Sequence, residues 1–255
     1  MKRAEHTFGQ PGAGVRFDWG VAGAGELSRV CAALVVVDVL SFTTTVDIAV
    51  SRGMRVHPFP WSDQAPAYAR RVGAEVAVGR SEVTAEQPWS LSPAAMAAAR
   101  VVPELVLPSP NGSTICAAAA ATGAVVLAGC VRNAAAVGDW LARRDFGSAD
   151  KPVGVIAAGE RWPDGNLRPS VEDLIGAGLI IDRLVKASGG LSIEAAVTLA
   201  ARAQLTDVSG AVHGSVSGQE LIALGFAPDV ALAAAAGTSG TVPVLRDGAF
   251  RAAVH

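Results

Sequence analysis

Charged residues are scarce in this sequence, and neither sign dominates. Only 17% of the 255 residues are charged, and the formal net charge is −2. Proteins that bind nucleic acid usually carry a basic patch, and the scattered arginines form no polybasic run of the kind that binds membrane surfaces. We therefore expect neither a nucleic acid nor a membrane as a partner.

Long apolar runs are also missing, although 51% of the residues are hydrophobic. No stretch of about 18 uncharged apolar residues could span a bilayer, and residues 1–6 are not followed by an apolar signal core. These absences predict a cytoplasmic location. The cysteines Cys31, Cys116 and Cys130 are odd in number, lie in apolar surroundings and lack metal-ligand spacing, so we expect buried small hydrophobes.

Several familiar site motifs are absent as well. Residues 23–28 begin like a dinucleotide fingerprint, but they precede their strand and lack the last glycine. There is no Walker A lysine motif and no G-x-S-x-G elbow. The histidines His6, His57, His213 and His255 show no metal-ligand spacing. We expect His57 to be a core or edge residue and His213 to lie in a solvated turn.

Apolar runs do alternate with amphipathic stretches along most of the chain. Strands are predicted at residues 33–39, 54–59, 75–79, 104–107, 124–129, 153–158 and 242–245, and helices at 43–51, 65–72, 111–121, 134–144, 170–186, 192–205 and 217–236. A capping box of Ser217 and Glu220 should begin the last helix, which breaks near Gly225. The order predicts a three-layer α/β/α sandwich with a largely parallel or mixed sheet. We expect one domain over residues 1–255, with an edge hairpin or irregular segment over residues 1–30.

Ligands of open α/β sheets bind beyond the carboxyl ends of the strands, where helix N-termini attract anions. Asp38 is the strongest single candidate there, because an unpaired carboxylate in an apolar strand is costly. It must meet a metal, another cation or N–H donors, or it only caps the following turn. Other turns supply hydroxyls, amides and backbone N–H groups that suit a phosphate and a hard cation such as Mg²⁺. These residues are Thr43, Thr44, Thr45, Asn111, Gly112, Ser113, Thr114, Arg132 and Asn133.

Four blocks of the sequence, in order, resemble the 2-phosphosulfolactate phosphatase family. They are residues 36–40 with 43–45, residues 110–114, residues 129–133, and residues 157–159 with 171–174 and 176–178. The resemblance implies Mg²⁺-dependent hydrolysis of a phosphate ester on a small 2-hydroxy acid. It also implies that Asp38, Glu172 and Asp173 are the catalytic and metal-binding acids, although acids in the first turn of a helix are favoured without any function. Either water attacks the phosphorus directly or Asp38 first accepts the phosphoryl group.

One departure from the family pattern concerns the substrate. The family has an arginine after Asp-Val-Leu, where this chain has Ser41. A sulfonate or carboxylate needs a cationic partner, so we expect 2-phosphosulfolactate not to be the best substrate unless Arg132 or Arg161 supplies the charge. Two alternatives stay open: a hydrolase of a different small phosphate ester, and a non-catalytic anion-binding or small-molecule-binding protein on the same fold. The expected partner is a small phosphorylated acid, and a homodimer is left open.

Overall fold

Short runs of valine, leucine and alanine build the strands. In the computed structural model, which describes residues 7–187 and 189–253, strands β1 to β11 are Val15–Trp19, Ala33–Val37, Arg55–Pro60, Glu75–Val76, Glu104–Ser109, Val125–Gly129, Val153–Ala157, Glu160–Arg161, Leu167–Arg168, Pro243–Arg246 and Ala249–Ala252. Every residue of β2 and of β7 is buried. Continuous apolar runs of this kind suit parallel strands that are covered on both faces.

The helices lie between these strands and after β9. Helices α1 to α11 are Gly20–Leu27, Phe42–Ser51, Ala65–Val72, Pro93–Ala98, Gly112–Ala120, Ala134–Ala142, Val171–Leu184, Ile193–Ala203, Val208–Gly214, Val216–Ala223 and Ala227–Ala233. The side chains of Ser92, Ser192, Asp207 and Ser215 accept a backbone N–H at the start of α4, α8, α9 and α10. Each of these bonds satisfies a donor that the helix itself leaves unpaired.

Nine of the strands in the described residues form one sheet, in the order β1-β7-β2-β6-β10-β11-β3-β5-β4. Strands β1, β7, β2 and β6 are parallel to their neighbours, and so are β3, β5 and β4. Between these two groups lie β10 and β11, which are antiparallel to each other, to β6 and to β3. The sheet is therefore mixed and mostly parallel, as the sequence predicts.

Helices cover both faces of the sheet. Alternate residues of β2, such as Val35 and Val37, pack with Val137 of α6 and Ile180 of α7 on one face. On the other face, Val36 packs in the same cluster as residues of α1, α2, α4 and α5. The protein is an α/β/α sandwich, which confirms the predicted fold class.

The first 30 residues differ from the predicted edge hairpin or irregular segment. Within the described part, β1 is an edge strand, but it pairs with β7 in parallel and leads directly into α1. Gly20, with φ +61°, makes this sharp change of direction possible. The glycine-rich composition thus marks a tight strand-to-helix turn and a helix, and not a hairpin.

The end of the chain also differs from the prediction in its details. Ser215, and not Ser217, caps α10, by accepting a hydrogen bond from the backbone N–H of Gly218 at 3.0 Å. Helix α9 and strand β11 were not predicted from the sequence. His213 lies in α9, where its Nδ1 contacts the carbonyl oxygen of Ser209 at 2.9 Å, so the predicted solvated turn is a short helix.

Two further expectations from the sequence are confirmed. Cys31, Cys116 and Cys130 are free and buried, and burial raises the pKa of each thiol. His57 is buried in β3, where its Nε2 lies 2.8 Å from Glu104 Oε2. Among the helices of the described residues, none has both the length and the apolar content needed to cross a membrane.

Candidate active site

The register of β2 and β7 brings two chain segments together at the carboxyl edge of the sheet. Val37 is paired with Ala157, so Asp38 follows β2 beside the turn at Ala158 and Gly159. The N–H of Ala158 donates to the carbonyl oxygen of Val37 at 2.8 Å and extends this pairing by one residue. Asp38 therefore lies where ligands of open parallel sheets bind.

Backbone N–H groups hold the Asp38 carboxylate from two sides. Oδ1 accepts from the N–H of Phe42 at 3.1 Å, and Oδ2 accepts from the N–H of Gly112 at 3.0 Å. Phe42 begins α2 and Gly112 begins α5, so the carboxylate joins two helix N-termini, where negative charge is favoured. The side chain is only 7% exposed.

Asp173 connects the turns that follow β2 and β7. Its Oδ1 accepts from the N–H of Val39 at 2.7 Å, and its Oδ2 accepts from the N–H of Gly159 at 2.9 Å. Both donors lie just past the ends of neighbouring strands, 134 and 14 residues away in sequence. Asp173 thus fixes the loop geometry around Asp38 from the first turn of α7.

Glu172, next to Asp173, is buried without such partners. Its side chain is 2% exposed, and no other group within residues 7–187 and 189–253 forms a hydrogen bond with its carboxylate. Nearby, the buried Ser170 Oγ also lacks a hydrogen-bond partner among the described residues. Buried polar groups are normally paired, so Ser170 Oγ marks a place where a ligand or water would satisfy it. The Glu172 oxygens are not among the fully buried unpaired atoms of the described residues, so they keep access to such a ligand.

Glu160, which follows β7, was not among the site residues predicted from the sequence. Glu160 Oε2 accepts from Asn111 Nδ2 at 3.0 Å, and Asn111 Oδ1 accepts from Arg161 Nε at 3.3 Å. Asn111 therefore joins the turn after β5 to the turn after β7. Glu160 lies three residues after the end of β7, a position where site residues of this fold often lie. This position was the one feature of the sequence that could have indicated Glu160 as a site residue.

The four acids Asp38, Glu160, Glu172 and Asp173 are here called the acidic cluster, and neighbouring acids of this cluster raise the pKa of Asp38, Glu160 and Asp173. Burial raises the pKa of Asp38 to about 6, Glu172 adds to this rise, and two backbone N–H groups oppose it. Burial and then Asp38 raise the pKa of Glu160 to about 7. Burial, Asp38 and Glu172 together hold the pKa of Asp173 well above its ordinary range. Like charges this close favour a bound cation.

The hydroxyls of Thr43, Thr44 and Thr45 are buried and turn toward backbone carbonyls. They donate to the carbonyl oxygens of Asp38, Val39 and Leu91 at 2.7, 2.8 and 2.9 Å. These hydrogen bonds stabilise the turn after β2 and connect α2 to the segment before α4. Their contribution to substrate binding stays a prediction, since each hydroxyl proton is already engaged.

The other predicted binding residues also have partners. Ser113 Oγ donates to the carbonyl oxygens of Phe59 and Ser109, and Thr114 Oγ1 donates to that of Pro110 at 3.1 Å. These contacts fix the first turn of α5, close to Asp38.

The turn after β6 is held by contacts of its own. Arg132 Nε pairs with the buried Asp47 at 2.9 Å, and Ser239 donates to the same carboxylate at 2.6 Å. Asn133 bonds the backbone of Cys130 and Ala128. Arg132 and Asn133 thus stabilise this turn, and substrate binding by them stays a prediction.

A different arginine reaches the turn at Ser41. Arg80 Nη2 donates to Ser41 Oγ at 2.6 Å, and its charge lowers the pKa of Asp38. Arg80 lies in a short 3₁₀ turn after β4, 39 residues from Ser41. The sequence offered no local signal for this approach, because an irregular loop and not a strand end carries the residue.

Two pockets border the turn at Asn111. The smaller, of about 190 Å³, is lined by Asn111, Glu160 and Arg161 among others. The larger, of about 470 Å³, is lined by Arg80 and Pro110 together with apolar side chains. Asp38, Glu172 and Asp173 do not line either pocket. These three acids therefore lie deeper than Glu160, which lines the smaller pocket.

A model of the family described as 2-phosphosulpholactate phosphatase matches residues 23–248. The chain belongs to this family. It is accordingly an enzyme of the phosphoric monoester hydrolase class, and the resemblance inferred from the sequence is confirmed. No curated protein sequence matches the chain. The match covers the acidic cluster, the helix start at Gly112 and the loop that carries Arg80.

The donor groups suit magnesium better than they suit a transition metal. All four acids offer oxygen, the donor that Mg²⁺ prefers, and the buried Glu172 carboxylate has no hydrogen bond in the described chain. Within residues 7–187 and 189–253, however, no three His, Cys, Asp or Glu side chains converge as a ready-made ligand set. Mg²⁺ usually binds through one or two carboxylates, with waters and substrate phosphate completing its shell, so the residues fit that ion.

Gly112→Ala is expected to lower both stability and activity. An added Cβ would press on the Phe42 ring and come 2.7 Å from Asp38 Oδ2. Overpacking of this kind costs about 1–3 kcal/mol, and it would displace the Asp38 carboxylate. Thermal unfolding and kcat on a phosphate ester measure the two effects.

Gly25→Ala in α1 is the matched control for Gly112→Ala. A Cβ at Gly25 meets nothing within 4 Å, and alanine is the better helix former by about 0.5–1 kcal/mol. This variant should be active and at least as stable as the wild type. Equal behaviour of the two variants would show that the close approach at Gly112 has no role.

Proposed function

We propose that the enzyme hydrolyses the phosphate monoester of a small 2-hydroxy acid and requires Mg²⁺. The observation that carries the proposal is that Asp38, Glu160, Glu172 and Asp173 lie at the carboxyl edge of the sheet, near enough for the charges of Asp38 and Glu172 to raise the pKa of their neighbours. Four acids held this close repel one another and would repel a phosphate. A divalent cation resolves both problems, because it neutralises the acids and attracts phosphoryl oxygens.

Glu172 and Asp38 would hold the cation. Glu172 is buried and makes no hydrogen bond in the described part of the chain, and the charges of Asp38 and Glu172 both raise the pKa of Glu160 and of Asp173. When bound, Mg²⁺ would supply charge neutralisation as the ester bond breaks. Asp173 would act as a positioning residue, because its bonds to the N–H groups of Val39 and Gly159 join the loops that follow β2 and β7.

The N-terminus of α5 would bind the phosphate oxygens that the cation does not reach. This helix runs over Gly112–Ala120, and its first-turn N–H groups have no acceptor within the helix. Its dipole favours an anion there. The hydrogen bond from Gly112 to Asp38 fixes the helix start against the acidic cluster. A phosphate bound at this point would lie between the cation and the helix.

Glu160 would donate the proton that the leaving alcohol needs. Its pKa of about 7 keeps a substantial protonated fraction near neutral pH, the range in which general acids work best. Asn111 Nδ2 holds its Oε2 at 3.0 Å, and the side chain lines the smaller pocket. Glu160 therefore combines a suitable pKa, a fixed position and access to a bound molecule.

Glu160→Gln is expected to lower kcat about 10²-fold on an alkyl phosphate such as phospholactate, in the range typical of a lost general acid. On p-nitrophenyl phosphate the loss should be slight, because nitrophenolate leaves without a proton. The wild-type rate on the alkyl ester should also fall as the pH rises above the Glu160 pKa, since the ionised form cannot donate. Equal losses on both esters would contradict the role of proton donor.

The test of the proposed function is hydrolysis of phosphoglycolate and phospholactate by the full chain, after exhaustive chelation and then with Mg²⁺ restored. We expect phosphate release that depends on Mg²⁺. Full activity after chelation would remove the metal from the proposal. Tight binding of these esters without phosphate release would favour a non-catalytic binding protein on the same fold.

The prediction that 2-phosphosulfolactate is not the best substrate assumed that no positive charge lies near Ser41. Arg80 brings a positive charge to the Ser41 hydroxyl, so a missing charge no longer argues against an anionic second group. Arg132 is more tightly engaged, because its Nε lies 2.9 Å from Asp47 Oδ2 and its Nη1 donates to the carbonyl oxygen of Leu232, whereas Arg80 Nε lies 3.4 Å from Asp229 Oδ2. Arg161 donates to Asn111 and to the carbonyl oxygen of Gly165. A carboxylate on the substrate is therefore part of the proposal, with Arg80 as its nearest cationic partner.

A further inference from the structure

The larger pocket has no role in the hydrolysis described so far. Its volume is about 470 Å³, and its walls are formed largely by Trp61, Leu91, Leu221, Leu224 and Phe226. Pockets that bind small molecules usually measure about 300–1,000 Å³ and combine apolar walls with a few fixed polar groups. A three-carbon phosphorylated acid would leave most of this space empty.

The pocket borders the turns that surround Asp38. Pro110, in its lining, immediately precedes Asn111 and the N-terminus of α5. Leu91, also in the lining, accepts a hydrogen bond from Thr45 of α2 through its carbonyl oxygen at 2.9 Å. A molecule with its phosphate at the start of α5 could therefore extend past Pro110 into the pocket.

Arg80 is the cationic group of this pocket, and its position is fixed. Its Nη2 donates to Ser41 at 2.6 Å, its Nε lies 3.4 Å from Asp229 Oδ2, and Phe226 lies under the guanidinium. Asp229 is 1% exposed and also accepts from Ser92 and from the N–H of Ala94. The guanidinium is thus held between the apolar walls and the Asp38 turn, where it could bind a carboxylate.

We propose that this pocket binds the organic part of the substrate, with Arg80 on the carboxylate and the apolar walls around a substituent of about benzyl size. The substrate class would then be the phosphate ester of a 2-hydroxy acid with an apolar side chain. The inference rests on the proposed function. It adds which side chain of the 2-hydroxy acid the enzyme would prefer. The charge of Arg80 complements the carboxylate, and the apolar walls complement the side chain.

The experiment compares kcat/KM for 2-phospholactate, which carries a methyl group, with that for 2-phospho-3-phenyllactate, which carries a benzyl group. Full burial of an aromatic side chain corresponds to about 10- to 150-fold in binding. Because the pocket is partly open, we expect a preference of about 10-fold for the phenyl ester. The absence of a preference, with both esters hydrolysed, would overturn this inference and leave the proposed function standing.

Leu224→Asp tests whether the apolar lining of the pocket binds the substituent. The fold should tolerate this substitution, because Leu224 is 65% exposed. The substitution should abolish the preference for the phenyl ester by lowering kcat/KM on that ester more than on phospholactate. Val216→Asp is the matched control, since Val216 is 71% exposed and lies on α10 outside the pocket. A preference that survives Leu224→Asp would overturn the inference. The inference would also be overturned if this variant converted a dimer to a monomer, because Leu224 would then lie in a contact between two copies of the chain.

Arg80→Gln separates recognition of the carboxylate from an indirect effect on Asp38. We expect kcat/KM to fall about 10-fold or more on both 2-hydroxy acid esters and little on 2-phenylethyl phosphate, which lacks a carboxylate. An equal loss on all three esters would mean that Arg80 acts through Asp38, and the inference would be wrong. If the wild type hydrolyses none of these esters, the proposed function fails first.

Discussion

Asp38→Asn is expected to reduce kcat by at least 10²- to 10³-fold, the scale of losing a charged group that acts in the transition state. The substitution keeps the shape of the side chain but removes the charge that would hold the cation. It also replaces one acceptor with an NH₂ group, so the N–H of Phe42 or of Gly112 loses its partner. The measurement is kcat at saturating Mg²⁺ with each substrate.

The stability of Asp38→Asn should change much less than its activity. One lost buried hydrogen bond costs about 1–3 kcal/mol. Relief of repulsion within the acidic cluster offsets part of this cost above the Asp38 pKa of about 6, where the wild-type carboxylate is ionised. Thermal unfolding with and without Mg²⁺ separates the two effects, because only the wild type should gain strongly from the ion.

Asp18→Asn provides the matched control for this experiment. Asp18 lies on the neighbouring part of the sheet in β1, is partly buried, and accepts from the N–H of Trp19 at 2.7 Å. The same chemical change there should leave kcat at the wild-type value. If Asp38→Asn turned over substrate as fast as Asp18→Asn, the carboxylate of Asp38 would serve the fold alone.

The position of Asp38 was predictable because two local patterns coincide there. A β-branched apolar run identifies β2, and the carboxyl end of a parallel strand is a common place for ligands. The same reasoning named the turn at Asn111. It could not rank the residues within each turn, since the choice depends on which side chain remains unpaired after folding. Glu172 and Thr43 illustrate this difference. The Glu172 carboxylate makes no hydrogen bond in the described chain, whereas the Thr43 hydroxyl donates to the carbonyl oxygen of Asp38.

Arg80 was not predictable, because nothing in its neighbourhood indicates where its side chain points. It follows β4, a strand of two residues at the far edge of the sheet, and it contacts Ser41 through a loop. Irregular loops depend on tertiary contacts more than on local propensity. The capping box at Ser217 failed for a related reason, because Ser215 offered an equally good cap two residues earlier.

Glu172→Gln and Asp173→Asn should separate cation binding from loop positioning, although the two acids are adjacent in α7. Glu172 has no hydrogen bond to lose in the described chain, and its charge raises the pKa of both Asp38 and Asp173. Removing that charge should leave the midpoint of thermal unfolding unchanged or higher when Mg²⁺ is absent. The Mg²⁺ concentration for half-maximal activity should rise about 10-fold or more, as one charged contact implies.

Asp173→Asn should behave in the opposite way. Its two oxygens accept N–H groups that follow β2 and β7, and asparagine can satisfy only one of them. The loss of one buried charged acceptor costs about 1–3 kcal/mol, which corresponds to a fall of roughly 3–10 °C in the unfolding midpoint for a chain of this size. Activity should fall as well, because the loops around Asp38 would separate.

The two variants are compared in Mg²⁺ titrations of activity and in thermal unfolding with chelator present. An unchanged Mg²⁺ titration for Glu172→Gln would remove that residue from the cation site. An unchanged unfolding midpoint for Asp173→Asn would show that its bonds to Val39 and Gly159 do not hold the loops together. We expect Glu172→Gln to change mainly the Mg²⁺ titration and Asp173→Asn to change mainly the unfolding midpoint. This result would show that the two neighbouring acids have different roles, cation binding and loop positioning. Local helix preference favours acids at both positions equally, so only the contacts of each side chain can account for that difference.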